Sequence, residues 1–98
     1  MNRKIAYENL ARLVDLETGI QCKETYYNAP DTCGCCNEPF AGQTYMVDGA
    51  LKGSIAWANM CAVCFYREGK GIGWGEGQLY LRQDDGSWLL VAGFQPDE

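Results

Sequence analysis

Two C-x2-C pairs govern what this chain can fold into. Cys33 and Cys36 form the first, Cys61 and Cys64 the second, and 24 residues lie between them. Two cysteines three apart in a tight turn aim both sulfurs at one point. Two such pairs, brought together, make a tetrahedral sulfur cage that suits zinc. The chain has only 98 residues, and a domain that short buries about 60–65% of its unfolded surface. Its core is modest, so a metal staple matters. The spacing therefore predicts one structural zinc ion held by Cys33, Cys36, Cys61 and Cys64 within a single domain, residues 1–98.

The first pair sits in DTCGCCNEPF, where three cysteines crowd into four positions. A zinc-knuckle turn wants a residue tolerant of positive φ just after its second ligand, and Asn37 meets that need after Cys36. Phe40 then packs beneath the turn. Cys33 and Cys36 are the expected ligands, and Cys35 is a spare thiol within the turn. Cys22 stands alone and is expected to be a small buried apolar residue. Rubredoxin-type iron calls for a glycine turn at the second pair, whereas Cys64 continues into Phe65, Tyr66 and Arg67. A redox site needs one accessible low-pKa pair, not two pairs with a matching insert.

Around the cysteines the pattern suggests a small α+β domain. Residues 3–16 read as an amphipathic helix, capped by Asn2, with Ala6, Leu10, Leu13 and Val14 on one face; the N-terminal helical unit is placed at 1–23. Residues 24–32 look like a connector. A β-hairpin follows, with Tyr45 and Val47 on one arm, Ile55 and Trp57 on the other, and DGALKG between them. CAVCFYREG reads as a short helix stopped by Gly69. Residues 70–94 hold a glycine-rich strip and a second hairpin that turns at Asp85-Gly86. Trp57 and Trp88 are expected in the core, whereas Tyr26, Tyr27 and Tyr80 are uncommitted.

The order knuckle, hairpin, short helix over CGCCNEPF to CAVCFYREG resembles the treble-clef group of zinc fingers. In that group a knuckle and the first turn of a helix supply two ligands each. The resemblance covers about residues 31–69 and implies the same four cysteines as ligands. It implies little about function, because such fingers serve DNA, RNA, protein and ubiquitin-pathway roles.

Glycine occupies positions 69, 71, 73, 75 and 77. If this segment is extended, the glycines face one side and Lys70, Ile72, Trp74 and Glu76 the other. A side-chain-free face admits another backbone or a ring, with the N-terminal helix or zinc site as the packing partner. Alternatively, it presents Trp74 as a binding anchor. The Walker pattern, G-x-x-x-x-G-K followed by Ser or Thr, is absent, and the dinucleotide fingerprint fails because Glu76 or Trp74 stands where its third glycine is required.

There is no histidine, and the formal charge is −5. The commonest general base is thus missing, and four thiolates on a divalent ion would bring the charge to −7. That balance disfavours non-specific phosphate binding. Asp84, Asp85, Asp97 and Glu98 make the C-terminal stretch acidic, while Arg67, Lys70 and Arg82 make residues 61–82 the one net-positive stretch. The expected function is a zinc-stabilised module, such as a small acidic inhibitor or adaptor, that binds a basic protein partner through Lys70, Ile72, Trp74 and Tyr80. The alternative is a nucleic-acid-binding finger that uses the aromatics for stacking. An enzyme is not expected, because four cysteine ligands close the metal to substrate. MNRKIAYENLARLVDL carries charges throughout and lacks an apolar signal core, and no run approaches a bilayer span, so a cytoplasmic protein without a membrane contact is expected.

Overall fold

The structure, a computed structural model, describes residues 1–96; Asp97 and Glu98 of the acidic stretch lie outside the described residues. Three short helices pack with one antiparallel sheet. In chain order the elements are α1 (Arg3–Ala11), α2 (Leu16–Cys22), β1 (Thr25–Tyr26), β2 (Tyr45–Ala50), β3 (Trp57–Cys61), α3 (Ala62–Glu68), β4 (Gly77–Arg82) and β5 (Trp88–Ala92). No helix among the described residues is long and apolar enough to cross a membrane.

The N-terminal helix is two helices, not one over 3–16. Asn2 caps α1 as expected, its side chain accepting from Ile5 N–H at 2.9 Å. The first helix ends at Ala11 because Asp15 starts a second one. The Asp15 side chain accepts from the Thr18 N–H at 3.0 Å and the Thr18 hydroxyl at 2.6 Å, which satisfies orphan donors at the helix start. The Asp15 N–H donates to Val91 O at 2.7 Å, so the break is tied to the sheet. Ala6 and Leu10 are buried as expected, but Leu13 is 45% exposed. Cys22 is exposed rather than buried, because it lies in the last turn of α2 on the solvent side.

Both hairpins form, but they are not separate units. The sheet order is β1-β5-β4-β2-β3. Antiparallel pairing of β2 with β4 joins the first hairpin to the second, and the 24–32 connector supplies β1, a two-residue strand on β5. Registers Val47↔Met60, Val47↔Leu79 and Tyr45↔Leu81 place these side chains on one face. Tyr45 meets Tyr7 of α1 edge-to-face at 5.6 Å there, and the Tyr7 hydroxyl accepts from Thr44 N–H. Residues 45–47 are buried on both faces, so the expected in–out alternation gives way to continuous burial, as in any central strand with cover on each side.

Trp88 is core as expected, 3% exposed, with Phe40 edge-on at 5.8 Å and the Arg82 guanidinium over its ring at 5.4 Å. Trp57 is not: it is 49% exposed, and Ile55 is 98% exposed. Ile55 falls in the loop rather than a strand. Trp57 begins β3, the edge strand, which pairs with β2 alone among the described residues.

The glycine-rich strip is not extended. Gly73 and Gly77 exchange backbone hydrogen bonds at 2.9 and 3.0 Å, closing a turn around Trp74-Gly75-Glu76, with Gly75 at φ 83°. That left-handed conformation suits glycine. The close approach expected of a side-chain-free surface is present, but the partner is the chain's own backbone: a Cβ at Gly77 would stand 2.5 Å from Gly71 O, and one at Gly49 of β2 2.9 Å from Glu76 O.

Candidate metal centre

Residues 31–40 form a miniature hairpin that presents the first two sulfurs. Thr32 and Pro39 bridge, Cys33 N–H donates to Glu38 O at 2.9 Å, and Asn37 N–H donates to Cys33 O at 2.9 Å. Asn37 has φ 64°, the left-handed conformation its position required. Phe40 is buried beneath the turn, 2% exposed. Gly34 N–H donates to Asn59 O at 2.8 Å, which moors the turn on the edge of β3.

The second pair comes from the junction of β3 and α3. Cys61 ends the strand and is the N-cap residue of α3, with extended backbone, and Cys64 falls in the first helical turn. Gly69 stops the helix as expected, its N–H donating to Phe65 O at 2.8 Å; its φ of −79° is not left-handed. The exit is instead held to the first hairpin by Lys52 N–H to Glu68 O and Lys70 N–H to Ala50 O, at 2.8 and 2.9 Å.

The Sγ atoms of Cys33, Cys36, Cys61 and Cys64 all lie within 4.8 Å of one another. Cys36 and Cys61 sulfurs are 3.9 Å apart. A tetrahedral site with metal–sulfur bonds of about 2.3 Å has sulfur–sulfur edges of about 3.8 Å, so the cluster is close to the size a metal ion requires. Cys35 and Cys22 are outside it. The N–H groups of Cys35 and Cys61 donate to Cys33 Sγ at 3.4 and 3.3 Å, the kind of contact that steadies a thiolate.

The electrostatics of the cluster also fit a cation. Burial opposes ionisation of Cys33, yet the backbone N–H groups of Cys61, Cys36 and Cys35 converge on its sulfur and bring it down to about 7. Burial pushes Cys61 and Cys64 up. Four adjacent thiolates cannot all be held in a buried place by amides alone; a divalent ion deprotonates coordinating thiols and balances their charge. Cys35 behaves differently, since burial, then the negative charge of Cys33 and of Glu68, push it up to about 11. It is held as a thiol beside the cluster.

The four ligands are not equally covered. Cys33, Cys61 and Cys64 are buried, and Cys36 is exposed. A cleft of about 380 Å³ opens on Cys36, Cys61 and Cys64, lined also by Arg3, Glu38 and Arg67. Arg67 follows Cys64 by three residues on α3, a spacing that puts both on one helix face and was legible in the sequence. Arg3 arrives from α1 by tertiary packing, which no local pattern signals.

The remaining residues singled out from the sequence are dispersed. Trp74 is 57% exposed at the tip of its turn. Ile72 is half-buried against the core, and Lys70 is exposed at the helix exit. Tyr80 lies in β4, edge-on to Tyr26 at 5.7 Å. Burial, then Asp48, Glu24 and Tyr26, push its hydroxyl up to about 12.

Fold and site together define a small α+β protein with a four-cysteine cluster of metal-binding geometry. Compared with protein-family models, curated proteins and solved structures, the chain matches none.

Proposed function

We propose that the chain is a zinc-stabilised protein-interaction module, with one structural zinc ion on Cys33, Cys36, Cys61 and Cys64 and no catalytic role. The observation that carries this reading is the convergence of four cysteine sulfurs within 4.8 Å of one another. An all-sulfur tetrahedral set favours zinc, and four protein ligands leave the ion no open position for substrate. The order of knuckle, β2–β3 hairpin and α3 supports a treble-clef arrangement. The metal would then hold a scaffold, and recognition would fall to its surface. Trp74, Trp57 and Tyr27, at 57%, 49% and 73% exposure, are large aromatics on the surface, and Trp74 at the tip of its turn is the one proposed to anchor a partner. A formal charge of −5 favours a basic one.

Metal analysis of the reduced protein tests the first half: one zinc per chain is expected, and iron or no metal overturns it. Partner capture with parent and Trp74→Ala protein tests the second. Loss of captured species on substitution supports the Trp74 surface; an unchanged set, with unchanged zinc content, refutes it.

A further inference from the structure

We propose that Cys36 is a modification site, the one corner of the metal centre open to two-electron oxidants and electrophiles. This rests on the metal reading above. Three of the four clustered cysteines are buried, at 0%, 6% and 2% exposure for Cys33, Cys61 and Cys64, whereas Cys36 is exposed. Susceptibility of a thiolate to oxidation follows its exposure. The cleft of about 380 Å³ in front of it is large enough for a small molecule. Arg3 and Arg67 line that cleft and set two guanidinium charges against the single carboxylate of Glu38, which draws anionic reagents toward Cys36.

With hydrogen peroxide as the oxidant, the chemistry closes. The Cys36 thiolate attacks one peroxide oxygen, the O–O bond breaks, sulfur becomes a sulfenic acid and hydroxide leaves. Cys61 Sγ, 3.9 Å away, then attacks Cys36 Sγ. The S–O bond breaks, a second hydroxide leaves and a Cys36–Cys61 disulfide forms. Two thiolates lose two electrons, and one peroxide gains them and ends, with protons, as two waters. The sulfurs need only close to about 2.05 Å. Cys33 and Cys64 alone then remain to hold a metal ion, and two ligands do not retain it.

The test uses full-length Cys22→Ser/Cys35→Ser protein, which removes the two thiols outside the cluster, loaded with zinc. Peroxide is added in increments; zinc release is read with a chromogenic chelator and the products by peptide mapping. A Cys36–Cys61 disulfide growing in step with released zinc is expected. Separately, iodoacetamide should label Cys36 at least about tenfold faster than Cys33, Cys61 or Cys64. Arg67→Ala should slow anionic iodoacetate more than neutral iodoacetamide. Equal labelling of the four cysteines, or a first disulfide that omits Cys36, overturns the proposal. A protein that takes up no zinc fails the metal reading instead, and the labelling order still decides the role of Cys36.

Discussion

Gly19→Ala is a direct test of how α2 is seated. Gly19 is buried in the middle of the helix, and a Cβ there would stand 2.6 Å from Leu90 O and 3.4 Å from Val91 Cγ1. The first distance is about 0.8 Å inside ordinary contact, and the opposing atom is sheet backbone that cannot swing aside. The helix must lift, which stretches the 2.7 Å hydrogen bond from Asp15 N–H to Val91 O. Overpacking costs about 1–3 kcal/mol, and an opposing backbone atom that cannot swing aside puts this site in the upper part of that range, about 2–3 kcal/mol. Alanine returns up to about 1 kcal/mol through helix propensity and a less flexible unfolded chain. The clash wins, leaving a net loss of about 1–2 kcal/mol. For a domain near this size that lowers Tm by roughly 4–16 °C. Urea unfolding under saturating zinc measures it without contribution from metal loss, and Gln21→Ala on the exposed side of the same helix is the control. A Gly19→Ala protein as stable as the parent would mean α2 does not lie against β5 in this way.

Two further outcomes are expected. Cys61→Ser should lose zinc and unfold the region around residues 31–69, since structural zinc contributes roughly 10–16 kcal/mol in finger peptides, as much as a whole domain's stability of about 5–15 kcal/mol. Cys35→Ser should keep both zinc and fold; equal zinc loss in the two, read by metal analysis and thermal melts, would refute the ligand assignment. Asp15 bears on acid stability. The Thr18 hydroxyl and then the Thr18 N–H hold its carboxyl below the ordinary value of 3.8. A depressed folded pKa stabilises the protein above the ordinary value, and that contribution is lost as pH falls through the folded one. Asp15→Asn keeps the cap but removes the charge, so melts of the two proteins should converge as pH drops below about 4; a constant gap would refute the role.

The parts of this fold legible in the sequence are those set by short-range chemistry. Cys33 and Cys36 could be chosen over Cys35 because Asn37 is a residue that accepts positive φ, and it does so. The Asn2 cap and the Asp85-Gly86 turn are local in the same sense. Asp15, with Thr18 three residues on, carried a readable cap signal for a second helix, but the continuous apolar face up to Val14 concealed it. The glycine alternation misled because period-two spacing describes an extended chain equally well whether or not Gly75 turns it back. Pairing of β2 with β4 was not legible, since it rests on backbone contact between Gly49 and Gly77, 28 positions apart. Arg3 beside the metal cleft is hidden for a similar reason: α1 must first pack against α3.

The shortness of β1 has a consequence for how the chain must be handled. β5 reads WLLVA, and one of its long sides is paired to β4. On the other side its backbone is met by Thr25 and Tyr26, by Glu24 O and by the Asp15 N–H. Residues 15–26 thus act as a guard rail over the most apolar strand of the sheet. A chain begun after Tyr26 would keep every cysteine of the metal cluster, yet it would bare a ready template for strand addition by other molecules. Such a shortened protein should bind zinc and aggregate.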